Sequence, residues 1–311
     1  MKHVVLVVPL YNEEGNIDAL LTSIENVFAA LPAYSYEVIL VDDGSRDNSL
    51  QVVKQKAQQD PRVKYISFSR NFGHQNALKA GLDMADGDCV ISMDADMQHP
   101  PSLIPTMLQH WEAGFDVVYT VRQEGADLSA FKKRSSSTFY QILNWLSEID
   151  VEQGTPDFRL IGRNVLNELK RLNEYDLFFR GLVKWVGFKQ ISIPYQQEER
   201  FSGKSKYTLK KMMRFALQGI TSFSIRPLYA AAYLGFAISL LSLLYLPYAL
   251  YSYYFGRTIS GWASVIVTIA FFGGLQLTIL GIIGIYLGKL FMQSKGRPLY
   301  IIKETNLYER S

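Results

Sequence analysis

Asp94 and Asp96 stand one residue apart at the end of the apolar run Val90-Ile91-Ser92-Met93. Two carboxylates at a buried strand end suit a hard divalent cation. Mg²⁺ and Mn²⁺ favour carboxylate and phosphate oxygens, and Mg²⁺ commonly takes one or two protein carboxylates and completes its shell with substrate phosphates. Gln98, two residues on, offers a neutral carbonyl oxygen, and a second acidic pair, Asp42-Asp43, closes another apolar run. Carboxylates converging in this way need a cation or hydrogen bonds to offset their repulsion; one proton shared between two of them is the alternative. His99 follows Gln98 directly, but the oxygen ligands before it already suit a hard ion, so it reads as a loop histidine rather than a ligand.

Cations suited to phosphate come later. Arg200, Lys204 and Lys206 cluster around Gly203 with Ser202 and Ser205, and arginine in particular grips phosphate bidentately. The plainer reading of this stretch is a basic segment beside a membrane. No G-x-G-x-x-G follows the first apolar run and no G-x-x-x-x-G-K-[ST] occurs, so dinucleotide and P-loop chemistry lose their main support.

The elements that must carry these residues are legible from periodicity. Short apolar, β-branched runs at 3–9, 36–42, 63–67, 88–93 and 116–120 alternate with helical patterns. Such alternation predicts an α/β, doubly wound, mostly parallel sheet with ligands at the carboxyl ends of its strands, where residues 9–13, 42–45 and 94–96 fall. Two amphipathic helices are expected at about 131–147 and 208–222, lying on a membrane surface or packed against the soluble domain.

Two uncharged runs follow, 227–256 and 258–288, separated only by Arg257. Each exceeds the roughly 20 apolar residues that cross a bilayer, which predicts transmembrane helices at about 227–254 and 262–288. Lys204, Lys206, Lys210, Lys211, Arg214 and Arg226 precede them, and Lys289, Lys295, Arg297 and Lys303 follow, so both termini are expected in the cytoplasm. The expected layout is a catalytic domain over 1–225, a membrane domain over 226–293 and a cytoplasmic tail over 294–311. Gly273, Gly274, Gly281, Gly284 and Gly288 fall on or near one face of the second span, which reads as close helix packing in a homo-oligomer or as lipid-facing glycines chosen for flexibility.

Composition narrows the class further. The net charge of +3, with basic residues gathered near the spans, points to anionic headgroups and away from nucleic acid. Cys89 is the single cysteine, in an apolar run, so it reads as core packing in a reducing compartment. Met1-Lys2-His3 leads into a short apolar run that stops at Pro9, which does not fit a signal peptide.

Four motifs carry a family resemblance: Pro9-Leu10-Tyr11-Asn12-Glu13, Val41-Asp42-Asp43-Gly44-Ser45, Asp94-Ala95-Asp96-Met97-Gln98 and Arg200-Phe201-Ser202-Gly203-Lys204-Ser205-Lys206-Tyr207. In this order and spacing they resemble the polyprenyl-phosphate glycosyltransferases, inverting family 2 enzymes that include the dolichol-phosphate mannose synthases. The resemblance extends into the two C-terminal spans. It implies a GT-A-like domain, a nucleotide-sugar donor, a polyprenyl phosphate acceptor and Mg²⁺ or Mn²⁺.

By that resemblance Pro9, Tyr11, Glu13 and Asp42 surround base and ribose, while Asp94, Asp96 and Gln98 handle metal and diphosphate. Arg200, Ser202 and Lys206 meet donor or acceptor phosphates, with Arg159 beside the acceptor. Asp157 is implied near the acceptor, as an acid–base or as a group that orients Arg159 or Arg200; Asp96 and Arg200 stabilise the leaving group. His99 departs from the pattern, since relatives often carry an acid there. UDP-glucose is the preferred donor, with GDP-mannose and a UDP-amino-pentose as alternatives, and undecaprenyl phosphate the preferred acceptor. A processive polysaccharide synthase and a non-catalytic nucleotide-binding scaffold are the competing readings.

Overall fold

A computed structural model describes residues 1–122, 155–196, 219–256 and 261–307. The expected amphipathic helix at about 131–147, most of the one at 208–222, and Arg200, Ser202 and Lys206 lie outside the described residues.

The continuous apolar run of β1 (Lys2–Leu10) belongs in the middle of a sheet covered on both faces. It pairs in parallel with β2 (Tyr34–Asp42) on one side and β4 (Cys89–Ser92) on the other, and β3 (Val63–Phe68) extends the parallel set beyond β2. Alternate residues face opposite ways. Val4, Leu6 and Val8 join α1 (Ile17–Ala29) and α4 (Ile104–Glu112) in one core, while Val5 and Val7 join α3 (His74–Met84) in the other. Helix α2 (Ser49–Gln59) links β2 to β3.

The sheet is mixed rather than mostly parallel. Its order is β7-β5-β6-β4-β1-β2-β3-β8. Strand β6 (Arg159–Gly162) lies antiparallel between β4 and β5 (Val117–Arg122), and β7 (Gln190–Tyr195) adds in parallel to β5. Helices α5 (Arg163–Arg171) and α6 (Phe179–Trp185) stand between β6 and β7 in the chain. The chain builds outward from β1 to β3 and then crosses back to β4, so the strand order reverses beside β1, where open α/β sheets bind ligands.

The last third forms two long helices, α7 (Arg226–Tyr254) and α8 (Trp262–Ser294). Within α8, Val267–Ser294 is long and apolar enough to cross a membrane, and none of that stretch is buried against the rest of the chain. The described apolar stretch of α7, Arg226–Leu241, is shorter. Phe271, Leu277 and Leu290 on α8 and Tyr233, Phe236 and Leu241 on α7 are exposed, an apolar surface of the kind that marks contact with a membrane or another protein.

Beyond α8 the chain returns to the domain. Strand β8 (Ile302–Thr305) pairs antiparallel with β3 at the sheet edge. Tyr300 stacks on Phe68, and its hydroxyl donates to Asp83 on α3 at 2.9 Å. The end of α8 is fastened as well: Lys289 lies 2.6 Å from Asp176, Gln293 donates to the Asn173 carbonyl and accepts the Tyr175 N–H, and the Tyr286 hydroxyl donates to the Ser224 carbonyl.

Candidate active site

A crevice of about 530 Å³ opens at the carboxyl ends of the parallel strands. The loops after β1 and β2 form one wall and are laced together. The Asn12 N–H donates to Ser45 Oγ at 3.0 Å, the Arg46 N–H to Asn12 Oδ1 at 2.8 Å, and the Glu13 N–H to Ser49 Oγ at 2.8 Å. Asn12 adopts φ 57°, a left-handed conformation that asparagine tolerates better than most residues. Gly44 is required at its position: φ is 68°, and a Cβ there would stand 2.6 Å from the Arg70 carbonyl carbon.

The two adjacent aspartates after β2 do different things. Asp42 is buried and serves its own turn, accepting the Ser45 N–H at 3.1 Å and the Ser67 hydroxyl at 3.1 Å. Asp43 lines the crevice and accepts the N–H groups of Phe72 and Gly73, at 2.6 and 2.9 Å. Burial raises the Asp43 pKa, and those two N–H groups oppose the rise.

Asp94 and Asp96 follow β4 at the crevice floor. The Asp94 N–H donates to His99 Nδ1 at 3.1 Å, which leaves the His99 proton on Nε2, 3.7 Å from Asp94 Oδ2. His99 itself is buried, stacked on Phe158. Asp96 Oδ1 accepts the Gln98 N–H at 3.2 Å across Met97, which is held at φ 62°. A left-handed methionine between two polar residues is backbone strain stored at a site.

Asp94 Oδ1 is buried without a hydrogen-bond partner, with His74 Nε2 3.5 Å away. An orphaned carboxylate oxygen beside a second carboxylate fits a divalent cation. Among the described residues no three His, Cys, Asp or Glu side chains gather as a protein cage. The donor set therefore suits a metal that shares its shell with substrate phosphates.

The rear of the crevice is organised around Asp157, which is 5% exposed. Ser92 of β4 donates its hydroxyl to the Asp157 carbonyl at 2.6 Å and so fixes the backbone. Arg180 Nε and Nη2 approach the two carboxylate oxygens at 3.2 and 3.4 Å, Arg159 Nη2 approaches at 3.4 Å, and Gln75 Nε2 donates at 3.2 Å. His74 Nε2 stands 3.7 Å away.

Burial alone would raise the Asp157 pKa, but Arg180, then His74 and Arg159, hold its carboxyl well below the usual carboxylate range. For His74, burial works against the charged ring, while Asp157 and Asp94 lift its pKa to about 9. Burial lowers the Arg159 guanidinium to about 10 despite its carboxylate neighbour.

Of the residues singled out by sequence, Pro9, Tyr11, Glu13, Asp94, Asp96 and Asp157 line this one crevice. Asp42, Arg159 and Gln98 are not among its lining. Arg159, expected at the acceptor phosphate, is instead buried behind Asp157, where it also donates to the Pro156 carbonyl at 2.9 Å. Asp43, expected at a converging strand end, lines the crevice as well; Asn71, Gly73, His74, Gln75 and Arg180 line it without having been expected there. The rule that ligands bind at strand ends, applied to β3, would have found Asn71 to Gln75. Arg180 has no local signal, because only the docking of α6 brings it in.

Cys89 is buried and free, and burial pushes its thiol pKa up, as expected of inert core packing.

Residues 5–170 match the family described as Glycosyl transferase family 2. An uncharacterized glycosyltransferase of Bacillus subtilis is 44% identical, covering 96% of this chain and 93% of that protein. A bactoprenol glucosyl transferase of Shigella phage SfV is 38% identical, covering 96% of this chain and 97% of the phage protein. Among solved structures, glucosyl-3-phosphoglycerate synthase of Mycobacterium tuberculosis bound to phosphoglyceric acid aligns at TM-score 0.47 and 19% identity, over 71% of this chain and 79% of its own.

Proposed function

Because the chain belongs to glycosyl transferase family 2, we propose that it transfers glucose from UDP-glucose to the phosphate of undecaprenyl phosphate, inverting the anomeric centre, at the cytoplasmic face of a membrane. The observation that carries this reading is one arrangement. An acidic crevice suited to a metal-bound diphosphate ends in Asp157 and Arg180, and the loop leading to Arg180 is fastened to an apolar, membrane-length helix. The choice of glucose and of a polyprenyl acceptor draws on the bactoprenol glucosyl transferase relatives.

In this reading Pro9, Tyr11 and Glu13, with Asp43, hold base and ribose, and Asp94 and Asp96 hold Mg²⁺ or Mn²⁺ with the donor diphosphate. The cation supplies charge that stabilises the departing diphosphate. The lipid phosphate attacks the anomeric carbon from the face opposite the leaving group. A carbon–oxygen bond forms, the bond to the diphosphate breaks, and its electron pair stays with UDP. A phosphate monoester with a second pKa near 6 is largely dianionic at neutral pH, so no base is needed to activate it. Asp157 then acts as a positioning anion, consistent with a carboxyl held ionised by Arg180, His74 and Arg159.

Helices α7 and α8 form a membrane hairpin with both termini in the cytoplasm, and the glycines of α8 provide a face for self-association. Cross-linking in membranes tests the oligomer. Arg200, Ser202 and Lys206, outside the described residues, are proposed to meet the donor or acceptor phosphates.

The experiment supplies purified protein in detergent with radiolabelled UDP-glucose, GDP-mannose or a UDP-amino-pentose, plus undecaprenyl phosphate and Mg²⁺ or Mn²⁺, and counts label in extracted lipid. Labelling from UDP-glucose, lost with chelator, is expected. Labelling only from another donor corrects the sugar; nucleotide binding without lipid labelling overturns the acceptor.

A further inference from the structure

Glu13 and Glu14 stand side by side after β1 and take different roles. Glu14 ties its loop to the next one, its Oε2 accepting the Asn48 N–H at 2.9 Å, whereas Glu13 lines the crevice. Three contacts from two residues hold Glu13. Its N–H donates to Ser49 Oγ at 2.8 Å, its carbonyl accepts the Asn16 N–H at 2.9 Å, and its Oε2 accepts from Asn16 Nδ2.

Asn16 stands at the start of α1, where an asparagine ordinarily turns its side-chain oxygen back onto the N–H groups of the first turn. Here it does not. The Asn16 carbonyl accepts the Leu20 N–H at 3.0 Å, but the side chain makes no capping bond. Asn16 is 2% exposed, and its Oδ1 is buried with no hydrogen-bond partner. A buried acceptor left unpaired destabilises a fold, and turning the amide over would set that oxygen against the Glu13 carboxylate. The side chain forgoes the cap and keeps its donor on Glu13.

We propose that Asn16 is a positioning residue for the donor: its amide fixes the plane of the Glu13 carboxylate toward the nucleoside of the nucleotide sugar. The inference rests on the reading of Glu13 as a contact to base or ribose given above. A carboxylate on a flexible stem recognises a ligand poorly, because each contact it makes must also offset the freedom it loses. With one oxygen held by a buried amide and both backbone groups tied, Glu13 meets ribose hydroxyls or a base N–H in a set orientation. Loss of the clamp removes affinity for the nucleoside and spares the diphosphate, which the cation holds at Asp94 and Asp96.

UDP reports nucleoside and diphosphate together, and inorganic pyrophosphate reports the diphosphate alone. Wild type, Asn16→Ala, Glu13→Ala and the double variant, each as the full chain in lipid nanodiscs, are titrated with both in the presence of Mn²⁺. KM for UDP-glucose and kcat are measured alongside. Loss of a hydrogen bond to a carboxylate predicts, for Asn16→Ala, UDP binding weaker by about fivefold to tenfold and KM raised by a similar factor. Pyrophosphate affinity and kcat are expected to stay within about twofold, the pattern of a lost binding contact in an intact fold. In the Glu13→Ala background the same substitution should change UDP affinity by less than about twofold, because the group it serves is gone.

If Asn16→Ala binds UDP as wild type does while Glu13→Ala binds it weakly, the proposal is overturned and the reading of Glu13 stands. If the two losses simply add in the double variant, or if pyrophosphate weakens in step with UDP, Asn16 only supports the fold and the proposal is equally overturned. If Glu13→Ala leaves UDP affinity unchanged, Glu13 does not touch the nucleoside, and that reading fails together with the proposal.

Discussion

Lys289, near the end of the apolar helix α8, sits 2.6 Å from Asp176, four residues before the arginine that clasps Asp157. The pair is about one-third exposed at each partner, so its intrinsic strength is modest, on the order of 1 kcal/mol or less. Its position gives it leverage on the crevice. Asp176→Asn or Lys289→Gln is expected to lower kcat/KM for the lipid acceptor by roughly threefold to tenfold and to leave UDP affinity unchanged. The exchanged pair Asp176→Lys with Lys289→Asp should recover part of it. Equal losses for donor and acceptor would mean that the contact only supports the fold.

Gly181 bears on the same joint. A Cβ at this position would stand 2.5 Å from Phe223 and 2.7 Å from Phe178, whose rings meet edge-on at 5.9 Å. Gly181→Ala forces one ring aside and is expected to destabilise the protein by about 1–3 kcal/mol, the usual penalty of overpacking. Thermal unfolding in detergent measures it, and Phe223→Leu in the same chain should return part of the loss.

The ionisation of Asp157 yields a prediction on pH. Its folded pKa is depressed, so its charge is present at every pH above the ordinary aspartate value near 4 and is lost only as pH falls through the lower folded value. Asp157→Asn should therefore reduce kcat across pH from about 5 to 9 and leave the acid limb in place, while any basic limb moves to lower pH because His74 loses the carboxylate that lifts its pKa to about 9. If the acid limb of the wild-type profile disappears in the variant, Asp157 titrates in that range and acts as a base.

Asp94 offers the test of the metal. Its Oδ1 is buried and unpaired by hydrogen bonding, so Asp94→Asn removes a charge from the cation site and weakens the carboxylate's approach to His74 and His99, but keeps the hydrogen bond from the Asp94 backbone N–H to His99 Nδ1. Metal-dependent UDP binding should weaken at least about tenfold, as expected when a charged ligand group is lost. The apo protein should unfold at nearly the same temperature. Unchanged UDP affinity with Mn²⁺ would remove Asp94 from the metal site.

Much of the catalytic half was legible in the sequence because its signals are local. The first five strands coincide with the expected runs to within a residue or two, since long β-branched apolar stretches such as Val4–Val8 have few other ways to be buried. The strand-end rule then put Pro9, Tyr11, Glu13, Asp94 and Asp96 around one crevice. Strands β6, β7 and β8 escaped notice for a physical reason: two are four residues long, and β8 carries Lys303 and Glu304 at an edge. Their pairing is decided by neighbours rather than by their own pattern. Arg159 and Arg180 make the same point. Sequence favoured the arginine nearer to Asp157, whereas folding buries that one and delivers the distant one to the crevice.

Strand β8 changes what kind of object the pair of long helices α7 and α8 is. Since Tyr300 to Asn306 close the free edge of β3, hold its backbone and bridge to α3, the hairpin of α7 and α8 is an insertion inside a single folding unit rather than an appendage to a finished one. Cutting the chain before Arg226 would strip a strand from the sheet and bare an edge prone to pairing with other molecules. A version of the enzyme without the two long apolar helices would have to excise them and splice the closing strand back on.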